Sequence, residues 1–251
     1  MALRTVTATR YVEPFREGGS LPALCEGDDD GLYVVKFRGA GQGRKALIAE
    51  VVAGELARAL GLAVPELVLV ELDDQFGIGE PDPEIQDLLR ASVGCNVGLD
   101  YLSAALPFAP AAREPVDAEL AADVVWFDAY VTNIDRTARN TNMLWWHGRL
   151  HLIDHGACLY FQHDDRRPAG FEQTPFAPIA QHVLLPYASS ILEADARLAG
   201  RVDEQLVGEV VALVPDAFLD GDDRGVYRDY LCARIGGPRA FAQEAERARA
   251  A

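Results

Sequence analysis

Lysine is almost missing from this 251-residue chain: Lys36 and Lys45 are the only two among 23 basic residues. Arginine carries nearly all the positive charge, so Lys36, in the middle of an apolar run, stands out. Positive charge as a whole is scarce. Acidic residues number 39, the formal net charge is −16, and the isoelectric point is near 4.6. Such a surface repels nucleic-acid phosphates and anionic lipid at long range, which argues against either as a main partner. Cysteine is limited to Cys25, Cys95, Cys158 and Cys232, with no C-x-x-C pair. That spacing gives no local metal cage and no disulfide framework, and buried free thiols are expected instead. Long apolar runs are missing as well, since no stretch approaches the roughly 18 residues of a membrane span. The opening Met-Ala-Leu-Arg-Thr-Val-Thr has neither an apolar core segment nor a small-residue cleavage site. No signal peptide is therefore expected, and cytoplasmic residence follows as the default.

What is present fits a globular chain with a sizeable core: 49% of residues are hydrophobic and 25% charged. Thr5–Val12 and Ala23–Cys25 read as strands, and Leu32–Phe37 reads as a stronger one, rich in β-branched and aromatic residues. Arg44–Leu60 has a helical pattern that stops at Gly61, and Leu67–Leu72 is β-rich again. Pro81, Pro83, Pro107, Pro110 and Pro115 then break up an irregular stretch. Ala118–Val131 predicts a central helix, apolar on most faces, with Trp126 in the core. Later helices are expected at Val202–Leu213 and Gly225–Ile235, followed by an Ala/Glu/Arg tail from Pro238. The outline is α+β, with a β-rich part over 1–72 and a mainly helical part over 73–251.

The chemistry concentrates between Asp135 and Asp154. Met143–Trp146 and Leu150–Ile153 are two short strands joined at His147-Gly148, a hairpin signal. A hairpin folds its ends together, bringing Asn140 or Asn142 to Asp154. A carboxylate beside a carboxamide oxygen suits Mg²⁺, which takes one or two protein oxygens and completes its shell with phosphate and water. Hairpin register leaves both asparagines open, since a three-residue turn could set either across from Asp154. Asp135 lies upstream in a loop, placed to accept a proton from an attacking hydroxyl. Trp145 and Trp146 alternate across the strand, one toward the core and one toward a second layer. His147, His151, His163 and His182 show no ligand spacing and read as surface or hairpin residues.

Asp135 to Asn140, followed by Ile153-Asp154-His155-Gly156, resembles the catalytic loop and metal-binding Asp-Phe-Gly segment of protein kinases. The wording Asn133-Ile-Asp135-Arg136 is closer to the HipA-like and phosphatidylinositol-kinase-like branches. His155 stands where the aromatic residue is usual. The resemblance to HipA-like kinases implies one two-lobed kinase-like domain. It further implies transfer of the ATP γ-phosphoryl group to a hydroxyl, on a protein Ser/Thr or a small molecule. ATP and Mg²⁺ are the implied cofactors. Asp135 would deprotonate the acceptor, and Asp154 with Asn140 or Asn142 would hold the metal. Arg136 would contact a phosphate, brace Asp135 or form a structural ion pair.

The same resemblance implies a phosphate-contacting lysine on a strand, which Lys36 supplies. Buried there, it needs a counter-charge. Helical phase favours Glu55, whereas Ala49-Glu50 followed by Leu56-Ala-Arg-Ala-Leu-Gly-Leu62 matches the HipA-like pattern and favours Glu50. Gly18-Gly19-Ser20 lies where the kinase fold puts its phosphate loop, and Gly39-Ala-Gly41-Gln-Gly43 offers a second glycine-rich turn. Val70-Glu71-Leu72 would be the hinge that meets adenine. An inactive nucleotide-binding relative on the same fold is one alternative reading. Another is a dinucleotide-binding oxidoreductase, on the loose G-x-G-x-x-A match at Gly41–Ala46.

Overall fold

The computed structural model describes residues 2–15, 21–112, 115–163, 168–219 and 223–251. Five strands make the first sheet: β1 (Arg4–Pro14), β2 (Ala23–Gly27), β3 (Leu32–Lys36), β4 (Leu67–Leu72) and β5 (Gly94–Asp100). They close in the order β1-β2-β3-β5-β4, with β1 and β4 parallel and the other neighbours antiparallel. Val6, Ala8, Cys25, Tyr33, Val35, Val68 and Val70 fill its interior.

Between β3 and β4 runs helix α1 (Gly43–Ala59), in which every residue from Ala46 to Ala57 is buried. It packs against β4 and β5 on one side and against α5 (Glu204–Val211) on another. A helix enclosed in this way must be mostly apolar, and Ala46–Ala57 is so apart from Glu50 and Glu55. Strand β5, antiparallel to both, lies between β3 and β4, so the two strands that flank α1 never pair as the adjacent parallel βαβ unit a dinucleotide turn at Gly41–Gly43 needs. The dinucleotide reading falls for that reason. Gly39 instead packs on Ala91 and Ser92, where an added Cβ would lie 2.7 Å from the Ala91 Cβ.

The irregular stretch after Leu72 holds two elements that composition concealed. Helix α2 (Pro83–Ala91) starts with Asp82 accepting from the Glu84 amide, and Pro83 takes the first turn, where it has no hydrogen bond to lose. β5 follows, with a sequence, Gly-Cys-Asn-Val-Gly-Leu-Asp, of poor strand propensity. Gly98 is required there because a Cβ would come 2.7 Å from Val70 Cγ2 across the sheet. Strand pairing therefore continues to Asp100, and the boundary expected at Leu72 falls inside the sheet rather than at its end.

The remainder is mainly helical around α3 (Ala118–Tyr130), whose residues from Val124 to Tyr130 are all buried. Helices α4 (Ile191–Leu198), α6 (Arg224–Gly236) and α7 (Ala240–Ala250) pack on it. The Ala/Glu/Arg tail is α7, and its Phe241 meets the Trp126 and Tyr130 rings. Arg234 of α6 is buried beside them and donates to the carbonyls of Ala129 and Tyr130 at the end of α3. A second small sheet joins β6 (Leu106–Pro107), β7 (Met143–Trp146) and β8 (Arg149–Leu152). Cys25, Cys95 and Cys158 are buried, Cys232 is partly so, and all four are free thiols. Among the described residues no helix is long and apolar enough to cross a membrane.

Candidate active site

β3 delivers Lys36 at the end of the sheet facing α1, with its side chain only 10% exposed. Its Nζ donates to Glu50 Oε2 at 2.6 Å and to Asp154 Oδ1 at 2.5 Å. Burial alone would lower the Lys36 pKa, but the two carboxylates outweigh it and raise the pKa above the ordinary value. For Glu50, burial would raise the carboxyl and Lys36 reverses that, holding it at about 2. Glu55, the alternative partner, turns to Arg58 at 3.0 Å instead. The backbone amide of His155 also donates to Glu50 Oε2, at 2.8 Å. The His155 ring is wholly buried beside Phe127, with its Nδ1 3.6 Å from Glu50 Oε1.

The loop after α3 is built on Asp128, which is fully buried. Its Oδ1 accepts from Asn133 Nδ2 at 3.0 Å, and its Oδ2 accepts from Arg136 Nε at 2.5 Å and from His182 Nε2 at 2.8 Å. Burial would raise this carboxyl, but Arg136 and His182 hold it well below the usual range. Asn133 in turn accepts the Asp135 amide at 3.0 Å, which sets the start of the loop. Arg136 Nη1 donates to the carbonyl of Asn142 and, at 3.3 Å, to that of Ile153. Among the three roles open to Arg136, the geometry is that of a buried ion pair bracing the loop.

The hairpin closes at His147-Gly148, both with positive φ, as a two-residue turn of the mirror-image type requires. Pairing of Met143 with Leu152 sets Asn142 opposite Ile153, whose amide it accepts at 3.0 Å. Asp154 is thus returned beside the start of β7. Asn142 and Asp154 both adopt left-handed backbone, with φ of 48° and 54°, a region that Asn and Asp tolerate best among side-chain-bearing residues. Both asparagines turn their amides onto Asp135 Oδ2, Asn140 at 2.7 Å and Asn142 at 3.2 Å. Asn140 is exposed, whereas Asn142 is buried. Burial, with the nearby Asp154 charge, raises the Asp135 carboxyl above its ordinary value.

Four polar side chains from separate elements therefore meet here: Lys36 from β3, Glu50 from α1, Asp135 from the loop and Asp154 from the end of the hairpin. Among the described residues no hydrogen bond engages Asp154 Oδ2 or Asp135 Oδ1. No group of three or more His, Cys, Asp and Glu side chains gathers there as a cage. A hard divalent cation held by one or two carboxylates, amide oxygens and phosphate fits that donor set, whereas a thiolate or imidazole site does not.

Gly18, Gly19 and Ser20 lie outside the described residues. Val70-Glu71-Leu72 does not join the cluster. β4 lies between β1 and β5, so its backbone groups are spent on neighbours at both edges, with Glu71 paired to Thr7 and to Cys95. The chain leaves the sheet after Asp100, and it is Ser103 whose carbonyl meets Trp146 Nε1 at 3.1 Å. His182 is neither a surface nor a hairpin residue: it is 5% exposed and bound to Asp128. Asp128 and His182 had no signal in the sequence beyond being polar residues in apolar surroundings.

A lysine clamped between a helix glutamate and a hairpin aspartate, beside a loop aspartate, is the arrangement of a protein-kinase-like fold. The crystal structure of the Helicobacter pylori proinflammatory kinase CtkA matches with a TM-score of 0.60 and 16% identity, covering 98% of each chain. A sequence profile of HipA-like kinases matches residues 9–217, and the chain belongs to the HipA-like kinase family. Two crystal structures of the Golgi casein kinase, one with Mn/ADP bound, are more distant. Each has a TM-score of 0.47, covering 94% of this chain and 72% of the other, at 12% and 11% identity. No curated protein matches the chain at a significant level.

Proposed function

We propose that the chain is an ATP-dependent phosphotransferase that moves the γ-phosphoryl group to a hydroxyl acceptor, on a protein Ser/Thr or a small molecule. The observation that carries this reading is the Lys36 ammonium bound to both Glu50 and Asp154, at 2.6 and 2.5 Å. In this proposal the closed sheet and the helical part are two lobes, and nucleotide binds where Lys36 and Asp154 meet between them. The stretch from Asp100 to Ser103 would meet the base. Lys36, kept charged and oriented by Glu50, neutralises phosphate oxygens. Asp135 accepts the acceptor's proton, and its raised pKa makes it a better base than a solvated aspartate.

Mg²⁺, held by Asp154 and an asparagine oxygen, would neutralise charge on the phosphates. The chain's own part is positioning and fixed electrostatics. Asn140 and Asn142 compete for the ligand role because both already reach Asp135. Single alanine variants at the two positions separate them: the ligand's loss raises the Mg²⁺ concentration needed for half-maximal rate, and the other's does not. Transfer from radiolabelled ATP to casein, to small alcohols or to water is the direct test of the function. Asp135→Asn and Asp154→Asn should each lower turnover by about 100-fold or more. Unchanged turnover in both variants would overturn the mechanism. Nucleotide binding without turnover in the native chain would make it a binding protein on this fold.

A further inference from the structure

His182 stands 54 positions from Asp128 in sequence, between two short 3-10 turns at Ala177–Gln181 and Leu185–Tyr187. Its two nitrogens have separate tasks. The Leu184 amide donates to Nδ1 at 3.1 Å, so Nδ1 is unprotonated. Nε2 therefore carries the proton and donates it to Asp128 Oδ2 at 2.8 Å. The same segment is fastened once more, by an antiparallel bridge of Thr137 with His182 in which the Val183 amide donates to the Arg136 carbonyl at 3.1 Å.

Asp128 passes this constraint on. One carboxylate oxygen is shared by His182 and Arg136, and the other holds Asn133, which holds the Asp135 amide. Without the imidazole donor, Oδ2 keeps Arg136 alone, and the carboxylate is free to turn toward it and away from Asn133. We propose that His182 is a positioning residue for Asp135, acting through Asp128 and Asn133 to fix the loop that presents the carboxylate. The inference rests on the proposed phosphotransfer only for its rate consequence, because the loop geometry is independent of it.

Two substitutions divide the imidazole's tasks. His182→Asn keeps an acceptor near the place of Nδ1 but cannot donate to Asp128. His182→Gln places its amide donor near the place of Nε2 but loses the turn bond to Leu184. Amide exchange over 133–142, which needs no turnover, is the first readout. It should quicken about 10-fold or more in His182→Asn and stay near native in His182→Gln. In the ATPase assay His182→Asn should lower kcat by about 10- to 100-fold with KM for ATP unchanged, and His182→Gln should restore most of it.

The reverse order, with Asn native-like and Gln impaired, would show a turn cap only and overturn the proposal. So would native behaviour in both, or equal impairment in both. Should His182→Asn fail to fold, imidazole nitrogen shifts of the native chain decide: a ring protonated at Nδ1 rather than Nε2 overturns the proposal. If the native chain turns over no ATP, the phosphotransfer reading fails while the exchange result still decides the role of His182.

Discussion

Lys36 and Glu50 form a buried pair, and removing the Glu50 charge leaves Lys36 with Asp154 as its remaining carboxylate. Glu50→Gln should cost about 1.5–3 kcal/mol of stability by denaturant melts. Glu55→Gln should cost less than about 1 kcal/mol, because its partner Arg58 is 38% exposed. Equal losses would show that Lys36 does not depend on Glu50. The need for a counter-charge was legible from one lysine set among apolar residues. Which glutamate answers it was not legible by phase, because α1 is buried on all sides and Glu50 and Glu55 are both inside. Asp128 and His182 stayed invisible for a different reason: their bond joins distant segments, and no local spacing encodes it.

Elements with strong local codes were readable, and those held by tertiary contact were not. The hairpin from Met143 to Leu152 carries its turn signal in two residues, and α3 its apolar pattern over thirteen. β5 has no such code, since Gly98 serves the packing of Val68 and Val70 across the sheet and Gly94 takes a positive φ. α7 reads as a polar tail until Phe241, Ala242 and Ala245 are seen buried against α3 and its neighbours. That helix also caps another. Glu246 accepts the Ile191 amide at 2.6 Å, and the Leu192 amide and Ser190 hydroxyl at 3.3 Å each, at the start of α4. Burial would raise its carboxyl, but Arg249 and those amides hold it below the ordinary value. Glu246→Gln should cost about 1 kcal/mol in melts. The accompanying rise in amide exchange should be confined to the first turn of α4, and a rise spread over all of α7 would contradict the capping role.

At the scale of the molecule, buried carboxylates set the response to acid. Glu50, at about 2 in the folded chain against an ordinary 4.5, and Asp128, also lowered, bind protons more readily when unfolded. Their contribution is complete above the unfolded values and is lost as pH falls toward the folded ones. Asp135, raised on folding, works in the opposite sense. The melting temperature should therefore change little from pH 8 to 6 and fall steadily below about pH 4.5. A melting temperature that rises with acid would mean that relief of repulsion among the charges of a −16 chain dominates instead. The ring of strands has a consequence for self-association as well. Each of the five has two neighbours, so none presents a full row of open backbone groups to a foreign strand. Among the described residues β1 outruns β4 from Ala8 onward, leaving one flank uncovered by β4, and that reach carries Arg10, Glu13 and Pro14. Charge and a missing amide make it a poor template, and the apolar strands behind it stay out of reach of aggregation.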